Sequence, residues 1–78
     1  MQVTDYFKYV SRRPDRRQIK REWIQRVVDH PEKRHIQKDG RWRLWGEVPE
    51  AGGRYLRVIL LEDGATVHNA FFDRGFKK

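Results

Sequence analysis

The spacing of apolar positions divides the chain in two. Up to Pro31 they recur at intervals of three and four residues; beyond it they alternate. Val3, Tyr6, Phe7 and Val10 have the i, i+3, i+4, i+7 spacing of one buried helix face. They predict a helix over residues 4–13. Thr4 or Asp5 can cap it by accepting from backbone N–H groups that the first turn leaves unpaired. Pro14 ends it, because the residue before a proline is pushed out of helical conformation. A second stripe, Ile19, Trp23, Ile24, Val27 and Val28, predicts a helix over 19–30, with Pro31 as its stop.

Alternation after Pro31 predicts strands over 33–38, 41–48, 54–62 and 65–72. Turn residues separate them: Asp39-Gly40, Pro49-Glu50-Ala51-Gly52-Gly53 and Asp63-Gly64. Three consecutive hairpins make an antiparallel meander. The expected fold is a single α+β domain over 1–78, with two N-terminal helices packed on one face of a four-stranded sheet.

Strand parity assigns the faces. Leu56, Val58 and Leu60 form an all-aliphatic set suited to the core, and Trp42, Leu44 and Gly46 belong with them. A three-residue loop, Lys38-Asp39-Gly40 with Gly40 left-handed, sets Ile36 opposite Trp42. A two-residue turn would set it opposite Arg43, so the pattern favours the longer loop. At Asp63-Gly64 a two-residue turn pairs Leu60 with Val67 and Leu56 with Phe71. It also pairs Ile59 with His68 and Arg57 with Ala70. The far face then holds His35, Arg41, Arg43, Trp45, Tyr55, Arg57, Ile59, His68 and Phe72.

Composition narrows the chemistry. The hydrophobic and charged fractions are both 37%, and mean hydropathy is -1.00. An aromatic fraction of 13% supplies enough apolar area for a thin core and argues against disorder. The absence of cysteine excludes disulfides, thiolate nucleophiles and cysteine–zinc sites. No histidine pair has zinc-motif spacing, so neither metal nor cofactor is expected. The longest apolar run, Val58-Ile59-Leu60-Leu61, falls far short of a membrane span of roughly 20 residues. No charged n-region followed by an apolar stretch opens the chain. A cytoplasmic protein without membrane contact is the expectation.

Eighteen Lys and Arg against 11 acidic residues give a net charge of +7 and a pI near 10.3. Such a field draws polyanions, nucleic acid foremost and acidic proteins next. Two basic features carry it. On the far face, Arg41, Arg43 and Arg57 offer planar guanidinium groups that fork onto phosphate. Trp45 and Tyr55 beside them could stack unpaired bases, or could instead pack under the arginines as cation–π pairs. The second feature is the segment Arg12-Arg13-Pro14-Asp15-Arg16-Arg17-Gln18-Ile19-Lys20-Arg21, with six cations and one anion. Arg12, Arg13, Arg16, Arg17, Lys20 and Arg21 could each neutralise a phosphate. The plainer reading is a solvated interhelical corner.

Most catalytic constellations are missing. Ser11 is the only serine, and no glycine-rich loop follows a strand to cradle phosphate. What cations and imidazole can do is cleave RNA by attack of the 2′-OH. That needs a proton acceptor, a proton donor and positive charge on the phosphate. His68 has the right chemistry and sits nearest the arginines of the third strand. Arg43, Arg57 and His68 are therefore the candidate catalytic residues.

The order of residues 18–72 resembles a family of small uncharacterised bacterial proteins. The resemblance rests on Arg16-Arg17-Gln18-Ile19-Lys20-Arg21-Glu22-Trp23-Ile24, Val27-Val28-Asp29-His30-Pro31 and Asp39-Gly40-Arg41. It continues through Arg54-Tyr55-Leu56-Arg57-Val58-Ile59 and Ala65 to Phe72. That family looks allied in fold to toxins of the BrnT and RelE type, ribonucleases of toxin–antitoxin pairs with a basic sheet face as active surface. The resemblance implies roles for Arg17, Arg57 and His68. Where the family carries a histidine early in the first helix, this chain has Tyr6 and Tyr9.

The leading expectation is a small basic protein that contacts RNA, ribosome-associated RNA included, with a toxin-like endoribonuclease as its catalytic form. An acidic antitoxin-like protein would be its partner. Two alternatives stand beside it: a non-catalytic nucleic-acid-binding module, and an interaction domain that holds an acidic protein.

Overall fold

Thr4 starts the first helix. Its side-chain oxygen accepts from Phe7 N–H at 3.0 Å, which satisfies one orphan donor of the first turn. A computed structural model describes residues 1–77. Helix α1 spans Asp5–Val10 and α2 spans Arg21–Asp29. Both are shorter than the apolar spacing predicts. After Val10 the chain runs through successive turns to Ile19, closed by bonds such as Arg16 N–H to Arg13 C=O at 2.9 Å. Once Phe7 and Val10 are buried, a further helical turn before Pro14 would gain no apolar contact.

Four strands follow: β1 (Lys33–Ile36), β2 (Trp42–Val48), β3 (Arg54–Leu60) and β4 (Val67–Phe72). They form one antiparallel sheet in the order β1-β2-β3-β4. The first hairpin has the expected register. Gly40 has φ 90°, Gln37 N–H donates to Arg41 C=O, and Ile36 lies opposite Trp42. Between β2 and β3 the connection is tighter than a plain loop. Pro49–Ala51 makes one 3-10 turn, and left-handed Gly52 and Gly53 return the chain. Arg26 clamps this turn to α2 through a two-pronged ion pair with Glu50, at 2.6 and 3.0 Å.

One cluster joins helix and sheet residues. Phe7 of α1 and Trp23, Ile24 and Val27 of α2 are buried with Leu44, Val48, Leu56, Val58, Leu60, Val67 and Ala70. Gly46 lets α2 approach β2: a Cβ there would lie 2.9 Å from Val27 Cγ2. The residues before α1 add a parallel bridge to β4, Val3 opposite Val67, with Thr4 N–H on Val67 C=O at 3.0 Å.

The last hairpin departs from strict alternation. Leu60 pairs with Val67 as expected, but Ile59 then pairs with Asn69, so His68 is an inserted residue. This bulge shifts every later partner by one. Leu56 faces Phe72 instead of Phe71, and Arg57 faces Phe71 instead of Ala70. Ala70 is buried in the core, and Phe72 packs against the core beside Trp23. Phe72 is thus corrected from the far face to the helix side, and Phe71 takes its place. A bulge holds two residues against one, which lets one strand change the face its side chains address.

Candidate anion-binding face

The far face carries an open depression of about 400 Å³ lined by Tyr6, Gln37, Arg41, Arg43, Arg57, Ile59, His68, Asn69 and Phe71. Register explains the grouping. Arg43 and Ile59 are direct partners in the same row as His35 and Asn69, and Arg57 and Phe71 make the next row. The bulge brings His68 and Asn69 to this depression side by side. The sequence-predicted trio Arg43, Arg57 and His68 is therefore assembled, with Arg41 beside it. Among the described residues, no Asp or Glu lines the depression.

The arginines differ in how they are held. Arg57 lies with its guanidinium 5.5 Å from the Trp45 ring and 5.3 Å from the Phe71 ring. Its Nη1 is 3.5 Å from Asp73 Oδ2. This packing makes it a structural cation as well as a candidate ligand. Arg43 makes no side-chain bond or ring contact among the described residues. The Nε atoms of both Arg43 and Arg57 are buried and lack a partner. A buried unpaired donor costs roughly 1–3 kcal/mol, and native proteins rarely leave one without cause.

His68 is positioned from two sides. Its Nδ1 lies 3.0 Å from Thr4 Oγ1, and its ring stacks on Tyr6 at 4.8 Å. Burial, and then the Arg41 charge, push its pKa below the ordinary imidazole value. Both effects favour the neutral imidazole. Thr4 Oγ1 can either donate to Nδ1 or accept from Nδ1–H. The second tautomer presents Nε2 as a bare base; the first presents Nε2–H as a donor. Asn69 Oδ1 accepts from Arg16 Nη1 at 2.8 Å and from Ala70 N–H at 2.9 Å. Its amide nitrogen has no partner among the described residues and adds a further donor.

Trp45 follows the second of the two readings open to it in the sequence, packing under Arg57 as a cation–π pair. Trp45 is only 7% exposed. Phe76, from the segment after β4, stacks on its ring at 5.1 Å and lies 4.9 Å from Tyr55. Trp45 Nε1 donates to Asp73 Oδ2 at 3.0 Å. Principally that indole N–H, with help from Gly75 N–H and Arg57, holds the Asp73 carboxyl below its usual range despite some desolvation. Trp45 is thus corrected from a base-stacking platform to the floor of a small aromatic layer, and Tyr55 is half covered by the same Phe76. Alternation could not reveal this, because the covering ring lies beyond the last strand.

The basic corner is also divided. Arg16 binds Asn69, approaches Ala70 C=O and Asp15, and lies 5.2 Å over Phe71. These contacts make it a tether of the corner onto β4. Arg21 lies 5.0 Å over Phe7 and Lys20 5.8 Å over Trp23. Arg12, Arg13 and Arg17 stay exposed without a side-chain partner among the described residues. No group of three His, Asp or Glu among the described residues could hold a metal ion. No helix among them is long and apolar enough to cross a membrane.

No protein-family model, curated protein or solved structure matches this chain.

Proposed function

We propose that this chain is a cytoplasmic RNA-contacting protein that holds a phosphate in the far-face depression and acts as a toxin-like endoribonuclease. One observation carries the reading: Arg41, Arg43 and Arg57 line one depression with His68, whose pKa is held below the ordinary imidazole value. Planar guanidinium groups side by side match the oxygens of a phosphodiester. Exposed Arg12, Arg13 and Arg17 would track flanking phosphates without reading sequence.

In this reading His68 Nε2 takes the proton of the 2′-OH, with Nδ1–H held by Thr4. Arg43 and Arg57 stabilise the charge that grows on the phosphorane oxygens. The proton on His68 can then pass to the leaving 5′-oxygen. The BrnT- or RelE-type layout is part of the proposal, supported by the presence of two helices and a four-stranded antiparallel sheet. The outer strand β1 supports an acidic antitoxin-like partner: Lys33, Arg34 and His35 are all exposed along an edge.

The test is cleavage of RNA, alone and on ribosomes, by wild type, Arg43→Ala and His68→Ala at matched folding. Arg43→Ala is cleaner than Arg57→Ala because Arg43 supports no neighbour. Loss of roughly 10²–10⁴-fold in His68→Ala is expected of a general base. Equal cleavage by all three proteins would reject the catalytic assignment. Salt-sensitive RNA binding without cleavage would reduce the function to that of a binding module.

A further inference from the structure

Trp45 is closed to a base, yet one aromatic ring at the depression is open. Tyr6 is 48% exposed and lines the same depression as Arg43 and Arg57. Its ring is held on His68 at 4.8 Å with an interplanar angle of 25°. A surface tyrosine with no such neighbour would sample several rotamers. Stacking on a half-buried imidazole lowers that freedom and leaves less ordering to be done on binding. Next to it, the Gln37 side chain is half-buried at the depression without a side-chain partner among the described residues. Its amide offers one acceptor and two donors, the set that a base edge requires.

From this arrangement we infer that the depression takes a whole nucleotide, with its base stacked on Tyr6 and its phosphate on Arg43 and Arg57. The inference rests on the phosphate reading above and extends it from an anion to a nucleotide unit. A volume of about 400 Å³ lies within the range of about 300–1,000 Å³ usual for small-ligand sites. Stacking is tolerant of base identity, so Tyr6 supplies affinity and Gln37 supplies preference.

The experiment is an NMR titration of the full chain with inorganic phosphate, ribose 5-phosphate and adenosine 5′-monophosphate. In wild type the adenine should raise affinity over ribose 5-phosphate by about tenfold, and should shift the Tyr6 ring protons upfield. Tyr6→Ala should abolish that gain and leave phosphate affinity unchanged, which also shows that the site is still folded. Tyr6→Phe should retain the gain. Phosphate binding with no gain from adenine in wild type would overturn this inference alone. An equal loss for all three ligands in Tyr6→Ala would overturn it too, since Tyr6 would then act only by positioning His68. Failure of all three ligands to bind wild type would remove the phosphate reading and this inference together.

Discussion

Thr4 and His68 stand 64 residues apart in sequence, and the hydroxyl of the first lies 3.0 Å from Nδ1 of the second. The same hydroxyl accepts from Phe7 N–H. One oxygen thus fixes the start of α1 and the orientation of the imidazole. The backbone repeats the link, since Thr4 N–H donates to Val67 C=O next to the bulge. A helix cap, a strand irregularity and a candidate base form one unit. Tyr6, two residues beyond the cap, is carried with it.

The pH dependence of stability follows from His68. Burial and the Arg41 charge hold its pKa below the ordinary value of 6.5. The unfolded chain therefore binds a proton that the folded chain resists. The stability associated with neutral His68 is complete above about pH 6.5 and is lost as pH falls from there through the folded pKa. Urea titrations from pH 5 to 8 should show wild type losing more stability on acidification than His68→Gln. In Arg41→Gln the NMR midpoint of His68 should move up. A midpoint unchanged in Arg41→Gln would show that the Arg41 charge does not reach the ring.

Removing the Phe76 ring should uncover the aromatic layer on the far face. Trp45 is 7% exposed with Phe76 stacked on it. Phe76→Ala should therefore shift tryptophan emission to the red and raise its quenching by acrylamide. Circular dichroism should change little, since Phe76 lies outside the helices and strands. Unaltered quenching would mean that Phe76 does not cover Trp45 in solution.

The element order, the first hairpin and most core positions were legible in the sequence because period and turn chemistry agree. Ile36 opposite Trp42 follows from one glycine and one parity argument. The end of β4 was not read correctly, because strict alternation through Val67-His68-Asn69-Ala70-Phe71-Phe72 allows no inserted residue. The available signal was the three-residue step from Val67 to Ala70, the spacing of two small core residues across a bulge. The grouping of Arg43, Arg57 and His68 at one depression was legible because a bulge moves His68 by one place without hiding it. Covering of Trp45 by Phe76, and capture of Arg16 by Asn69, are tertiary contacts with no local pattern to announce them.

Gly46 tests the seating of α2 on the sheet. A Cβ there meets Val27 Cγ2 at 2.9 Å, and valine cannot swing aside freely because its χ1 is restricted. Gly46→Ala should cost about 1–3 kcal/mol, the range for overpacking a core. Val27→Ala destabilises alone by opening a cavity, but the double variant should be less destabilised than the sum. Additive costs in a double-mutant cycle would show that the two residues do not touch.

Arg43 sets stability against binding. Its Nε is buried without a partner, and Arg41 and Arg57 share its depression. Both features oppose folding when no anion is present, since an unsatisfied donor and like charges each raise the energy of the folded state. Arg43→Met keeps the aliphatic stem and removes the guanidinium. It should gain about 1 kcal/mol in urea unfolding without ligand. With phosphate the order should reverse. A ligand at 100 times its Kd adds about 2.7 kcal/mol to a protein that binds it, and Arg43→Met should lose most of that increment. The same pair of unfolding curves, with and without phosphate, measures both effects. A variant that is less stable without ligand would mean that Arg43 holds the sheet together; a variant that keeps the full phosphate increment would mean that the anion binds elsewhere.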